Sequence, residues 1–298
     1  MYPQNRRELR SCYSRAAWAL MAYLVLMELF IYLSYIPYFL GAYDLYYSVG
    51  YDEAVNAVIV FFPGIIAFGL VLRPLPKPRI HGKPPKAKDV IVCLIVAMGF
   101  LYIASTVTDF LLAGTETVDY ANESVAEEPF YMALIFTVII APLSEEFLFR
   151  KLLLDRLLFL GDWSALLVSA LFFGLFHTNL YQFLYATAVG LVMGYVHIMT
   201  GKMRWNVGLH MFINLFCGVL IGYLPDYDWV WILVELFIFF TMIFAIIYVL
   251  IKRPWRRFYS GPMARVTPGE KRIACFTSVP LWVCIVVHLG LSVYYIRI

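Results

Sequence analysis

The chain has 298 residues, of which 62% are hydrophobic and 14% charged, with a formal net charge of +3 and a mean hydropathy of +0.78. A soluble domain carries about 45–50% apolar and about 25% charged residues, so this composition excludes one and implies an all-α, polytopic membrane helical bundle. Long apolar runs likewise exclude a membrane β-barrel, whose strands read as short alternating segments.

In chain order, Arg6, Arg7, Arg10 and Arg15 precede an apolar run over 16–40. That run is far longer than the roughly 7–15-residue core of a signal peptide and ends in no A-x-A-like site, so it reads as the first permanent span. Further spans of the length a bilayer requires, about 20 residues, fall near 54–72, 89–113, 130–149, 163–178, 181–200, 205–224, 229–251 and 274–296. About eight or nine transmembrane segments are therefore expected, joined by short loops into a single membrane domain over 1–298.

Loop charge orients the bundle, because Lys and Arg mark the cytoplasmic side. The loop at 41–53 is acidic (Asp44, Asp52, Glu53), and the next carries Arg73, Lys77, Arg79, Lys83, Lys86 and Lys88. Acidic 116–128 follows, with Glu116, Asp119, Glu123, Glu127 and Glu128. Arg150, Lys151 and Arg156, then Lys202 and Arg204, are followed by acidic Asp226 and Asp228 before the basic run Lys252, Arg253, Arg256 and Arg257. The alternation predicts a cytoplasmic N-terminus. The basic loop at 73–88 also holds Pro74, Pro76, Pro78, Pro84 and Pro85, so it is not helical; its expected role is a solvated, orienting surface, with lipid headgroups as a possible contact. Cys12, Cys93, Cys217, Cys275 and Cys284 are scattered through apolar runs and read as small buried residues. Gly190-x-x-x-Gly194 and Gly218-x-x-x-Gly222 predict close helix packing in lipid.

The organising stretch is APLSEEFLFRKLL, residues 141–153, where Glu145, Glu146 and Arg150 interrupt an apolar span. A charge at the centre of a bilayer costs about 2.5–3.5 kcal/mol even on the lenient insertion scale, so such residues face a cavity or one another. Glu146 and Arg150, four apart, share a helix face and can pair. Glu145 is rotated by about 100° from Glu146 and is left for chemistry. Gly161-Asp162 reads as the turn of a hairpin. Glu145 lies 16 residues before Gly161 and His177 lies 15 after Asp162, so both sit about 23 Å from the turn and meet at one level. Phe173 and His177, and His210 and Asn214, are each four apart. The turn near Gly201-Lys202 places His210 level with Gly194, so an ideal straight sixth helix does not close the site; it must tilt, or break near Thr178-Asn179.

Two chemistries use a carboxylate, two imidazoles and an amide. In one, Glu145 is a general base toward water, His177 holds that water, and His210 and Asn214 donate to a developing oxyanion. In the other, Glu145, His177 and His210 ligate zinc, which activates the water; no H-E-x-x-H is present. Metal-free chemistry without a cofactor is the expectation, and zinc the runner-up.

These motifs resemble the signature of the CPBP, or Abi, family of intramembrane proteases, which includes type II CAAX prenyl endopeptidases and bacteriocin-immunity proteins. Its E-E-x-x-x-R stands here as Glu145-Glu146-x-x-x-Arg150, its F-x-x-x-H as Phe173-x-x-x-His177 and its H-x-x-x-N as His210-x-x-x-Asn214. The resemblance covers a core of about 130–223. It implies a glutamate-dependent, metal-free endopeptidase, with Glu145 as base, His177 positioning water and His210 and Asn214 stabilising the oxyanion. Glu146, Arg150 and Phe173 would support the site. The expected partners are a peptide or membrane-protein substrate and the lipid bilayer, not nucleic acid. The expected location is a bacterial plasma membrane. The alternatives are a non-catalytic membrane regulator or immunity protein binding a partner helix, and a proton-coupled carrier, which would spread its polar residues through several spans.

Overall fold

The computed structural model describes residues 2–3, 5–48, 51, 55, 62–78, 82–113, 129–261 and 266–296. Among them every regular element is a helix. Six stretches of the described residues are long and apolar enough to cross a bilayer: Arg6–Phe39, whose main helix is α1 (Arg6–Ser34), α3 (Ala87–Leu112), α4 (Phe130–Leu160), α6 (Leu180–Thr200), α7 (Met203–Tyr223) and Asp228–Arg257, built on α8 (Asp228–Lys252). A seventh appears if α9 (Pro268–Phe276) and α10 (Val279–Ile296), bent by 56°, are taken as one span.

The other two expected spans are shorter. They are α2 (Phe62–Leu72), preceded by predicted span residues outside the described set, and α5 (Asp162–Phe176). At 15 residues, α5 is about 22 Å long, short of a hydrocarbon core of about 30 Å. It does not need to meet the bilayer at both ends, because protein covers most of it and only Trp163 and Leu167 are exposed. Ten of its residues are buried, as befits a helix that is apolar on nearly every face. Of the acidic loop residues, Asp52, Glu53 and those at 116–128 also lie outside the described set, as does Arg79.

The backbone groups into two compact units, 3–75 with 265–284, and 76–264 with 285–298. In the first, the ring of Tyr23 on α1 lies against Gly64 of α2, and the Ser14 and Ser278 hydroxyls are 2.9 Å apart. The second is built on Val96, Ala97 and Met98 of α3, which pack with Val189 and Met193 of α6, Leu209 and Ile213 of α7, and Ala245 of α8.

Two irregularities in this second unit position the site. The first is α4, which is α-helical only over Phe130–Ala133, Ala141–Glu146 and Asp155–Leu157; Leu134–Ile140 and Phe147–Leu154 are π-helical. Pro142 has no N–H to give the Val138 carbonyl, which breaks the α ladder just before the two glutamates. Wide π turns are rare and concentrate at functional sites. The second is the α5–α6 junction. Thr178 adopts left-handed backbone, φ 46°, which stops α5 and costs a non-glycine residue about 1–2 kcal/mol. Asn179 then caps α6, its side chain accepting from the Tyr181 N–H at 2.9 Å. Of the two alternatives the helix arithmetic left, a tilt or a break, a break at Thr178-Asn179 is present.

Small residues let α5 and α6 approach closely. A Cβ on Gly174 would collide with the Thr187 hydroxyl and lie 2.6 Å from the Phe183 carbonyl, and one on Gly194 would collide with Leu166. At Gly190 the nearest atom, Ala170 Cα, is 3.1 Å away. Gly218 and Gly222 behave differently: a Cβ there meets nothing within 4 Å, so the second small-residue motif is not the close-packed face its spacing suggests. Gly174→Ala is expected to destabilise the protein by about 1–3 kcal/mol through overpacking, while Gly218→Ala leaves the melting temperature in detergent unchanged.

Candidate active site

The charges of the 145–150 segment are buried among partners. Arg150 and Glu146 are both wholly buried, and Arg150 Nε donates to Glu146 Oε2 at 2.9 Å. The guanidinium also donates from Nη1 to Ser169 Oγ at 3.2 Å, and Ser169 donates onward to the Phe149 carbonyl at 3.0 Å. Its central carbon stands 5.1 Å from the Phe173 ring centroid. A buried ion pair withstands desolvation better when further hydrogen bonds use the remaining donors; Ser169 takes one of them, while Nη2 of Arg150 bonds no acceptor among the described residues.

Glu146 has a second partner that its sequence spacing does not reveal. His210 Nδ1 lies 3.1 Å from Glu146 Oε1. Because a carboxylate only accepts, that nitrogen carries the proton and donates. The remaining nitrogen, Nε2, lies 3.8 Å from Glu145 Oε2. His177 is arranged in the same sense: its Nδ1–H donates to the Phe173 carbonyl at 2.7 Å, and its Nε2 is 4.0 Å from Glu145 Oε2. Both Nε2 distances exceed a direct hydrogen bond. Glu145, only 8% exposed, thus directs one oxygen at two imidazole nitrogens, and no donor among the described residues bonds that oxygen. Phe173 holds both imidazoles edge-on, with ring centroids 5.1 Å from His177 and 5.7 Å from His210.

The hairpin of α4 and α5 therefore brings Glu145 and His177 together, and α7 adds His210. Asn214, at the start of a π-helical stretch of α7, Asn214–Val219, donates one amide hydrogen to the Thr137 carbonyl at 2.9 Å. It ties α7 to the first π stretch of α4.

Ser169 is a supporting residue that the motif reading passes over. Its signal was available, because Ser169, Phe173 and His177 recur every four residues and share one face of α5. Asp155 is another. It is 1% exposed, accepts from His197 Nε2–H at 2.7 Å, and pairs with Lys151 at 3.0 Å and, more loosely, with Lys77 at 3.9 Å. His197 is accordingly a hydrogen-bonded structural residue, and this cluster clasps α4, α6 and the basic loop. No set of three or more His, Cys, Asp or Glu side chains among the described residues is arranged to hold a metal ion.

An all-helical membrane protein with a carboxylate and two imidazoles converging inside its bundle is what these observations define. Residues 127–216 match the family model described as Rce1-like, type II CAAX prenyl endopeptidase. Over 175 residues, 56% of this chain and 72% of the other, the chain is 21% identical to a Bacillus subtilis (strain 168) protein named "Putative membrane peptidase YdiL". No solved structure matches the chain. Over residues 127–216 the chain is thus similar to this family of membrane peptidases.

Proposed function

We propose that the protein is a glutamate-dependent endopeptidase that hydrolyses a peptide bond of a membrane-associated protein or peptide. The observation that carries this reading is the placement of Glu145 Oε2 within 4.0 Å of His177 Nε2 and 3.8 Å of His210 Nε2. A water molecule making two hydrogen bonds of ordinary length, about 2.8 Å, spans the gap between Glu145 and His177. Its two O–H groups then meet a carboxylate oxygen and an imidazole lone pair, the latter freed because His177 Nδ1 keeps the ring proton.

Glu145 takes one proton as the water oxygen attacks the peptide carbonyl carbon. The resulting oxyanion needs donors. His210 supplies one from Nε2 when it is the imidazolium, its Nδ1–H remaining on Glu146. The second amide hydrogen of Asn214 supplies another. With His210 protonated, Glu145, Glu146, Arg150 and His210 sum to zero charge, which suits a lipid-enclosed site. Collapse of the tetrahedral adduct breaks the C–N bond, and the proton on Glu145 passes to the departing amine. The Bacillus relative supports a bacterial plasma membrane as the location.

The zinc reading has one observation in its favour. Both imidazoles hold an acceptor at Nδ1 and turn Nε2 toward a carboxylate, as metal-ligating histidines do. Tetrahedral zinc with donors at about 2.0–2.1 Å needs them about 3.4 Å apart, closer than the 3.8 and 4.0 Å observed. Chelators are expected to leave the peptidase activity of purified protein unchanged; inhibition reversed by added zinc would transfer the water from Glu145 to the metal. The functional test compares secreted and membrane peptides from cells carrying the wild type and Glu145→Ala. Products that vanish with the variant support hydrolysis. An unchanged phenotype for Glu145→Ala, His177→Ala and His210→Ala alike would instead establish a regulator that binds partner proteins.

A further inference from the structure

A cavity of about 1030 Å³ opens in the second unit away from the catalytic cluster, and none of Glu145, Glu146, His177 or His210 lines it. It adjoins Leu158 and Asp162, at the turn of the α4–α5 hairpin, whereas His177 lies beyond the other end of α5, about 22 Å of helix away. Its interior is formed by Val96 and Phe100 of α3, Leu166 of α5, Val192 and Val196 of α6, and Tyr248 of α8. Its mouth is closed by two loops fastened through their backbones. The Lys83 N–H donates to the Met199 carbonyl at 3.1 Å. Across the mouth, the Asp162 N–H donates to the Tyr259 carbonyl at 2.9 Å and the Tyr259 N–H returns a bond to the Asp162 carboxylate at 2.8 Å.

The charges at this mouth are unequal in availability. Lys83 and Arg257 line it; neither is in an ion pair among the described residues, although the Arg257 guanidinium also meets the Tyr195 hydroxyl. Asp89 and Asp162 line it too, each held in place by a backbone N–H, from Lys86 at 3.3 Å and from Tyr259, so these two acids balance the two bases and the excess positive charge at the mouth comes from neighbouring residues. Lys86, Lys88, Lys252, Arg253 and Arg256 stand on the same two loops and adjoining helix ends. The neighbouring surfaces of α3 and α8 are apolar and open, with Ile91 57% and Leu250 62% exposed, as expected where helices meet lipid.

An apolar chamber of this size, at the upper end of ligand cavities of about 300–1,000 Å³, suits a long hydrocarbon tail. Two cationic side chains at its entrance, on the basic side of the bundle, suit a phosphate group. Basic pockets between membrane helices on that side bind anionic headgroups. We infer that the cavity is a binding site for an anionic phospholipid, with an acyl chain between α3, α6 and α8 and its phosphate between Lys83 and Arg257. The site is independent of the peptidase chemistry.

The test uses purified full-length protein and needs no substrate. After equilibration with equal amounts of phosphatidylglycerol and phosphatidylcholine, retained lipid is counted by native mass spectrometry. The expected result is a preference of about tenfold or more for phosphatidylglycerol, because bases near a membrane surface favour anionic lipid over zwitterionic lipid. Lys83→Gln with Arg257→Gln removes that preference in protein that melts as the wild type does. The wild type alone supplies a second readout, because Cys93 lines the cavity. Its alkylation should be several-fold slower in phosphatidylglycerol vesicles than in phosphatidylcholine vesicles, and inorganic phosphate should give no protection. Equal retention of the two lipids, a preference that survives the double substitution, or equal Cys93 labelling in both vesicles overturns the assignment.

Discussion

Glu145→Gln is expected to lower the rate of peptide hydrolysis by about 10²–10⁴-fold, the range a positioned general base contributes, without destabilising the protein. Glutamine keeps the shape of the side chain but cannot take a proton from water. The wild-type carboxylate is 8% exposed, and the oxygen it turns toward the imidazoles has no hydrogen-bond donor among the described residues. Losing this charge therefore removes no bond from that oxygen, and the melting temperature should hold or rise. The measurement pairs cleavage of a peptide substrate by purified protein with a thermal melt. Activity within tenfold of the wild type in a folded variant would remove Glu145 from the role of base.

Arg150→Ala should have the opposite character, a collapse of stability. Breaking a buried ion pair by deleting one partner costs about 3–5 kcal/mol, because the other charge stays buried and unpaired. Here the deletion also takes the donor from Ser169 and the cation from the Phe173 ring. Protein abundance should fall well below that of Glu145→Ala. A paired substitution separates holding the fold from shaping the site. Glu146→Gln with Arg150→Met removes both charges, so most of the lost stability should return. Activity should not return, because His210 Nδ1–H, 3.1 Å from Glu146 Oε1, would face a neutral amide and hold its second proton less firmly. Full activity in that double variant would reduce Glu146 to a partner of Arg150 alone.

Much of the arrangement is legible in the residue order, for identifiable reasons. The meeting of Glu145 and His177 follows from counting because the turn is compact and fixed by Gly161, whose φ of 96° suits glycine alone. The interruption after His177 follows from Asn179, a good helix cap whose side-chain oxygen accepts from the N–H two residues on. The second bond of Glu146 is not legible, because a partner four residues away already accounts for its charge and α7 arrives from 64 residues later. The π-helical stretches are equally hidden, since an apolar run such as LIFTVII fits either helix until tertiary contacts choose. Gly190 and Gly218 show a related limit: both begin a small-residue pair, but only the first meets a neighbouring helix. That α5 is shorter than a full span is hidden for the same kind of reason. Hydropathy cannot distinguish α5, apolar because protein encloses it, from a helix that is apolar because lipid does.

The wide turns of α4 carry a consequence of their own. Between Ala141 and Asp155 the helix leaves regular α winding for eight residues, Phe147–Leu154, so the angular offset between the Glu145 end and the Asp155 end is set by residue number. One residue removed there would turn one end relative to the other by about 100°. Either Glu145 would swing away from His177 or Asp155 would swing away from His197, though every side chain at both places remained. In this protein the spacing of the backbone specifies the site as much as the identity of the groups it carries.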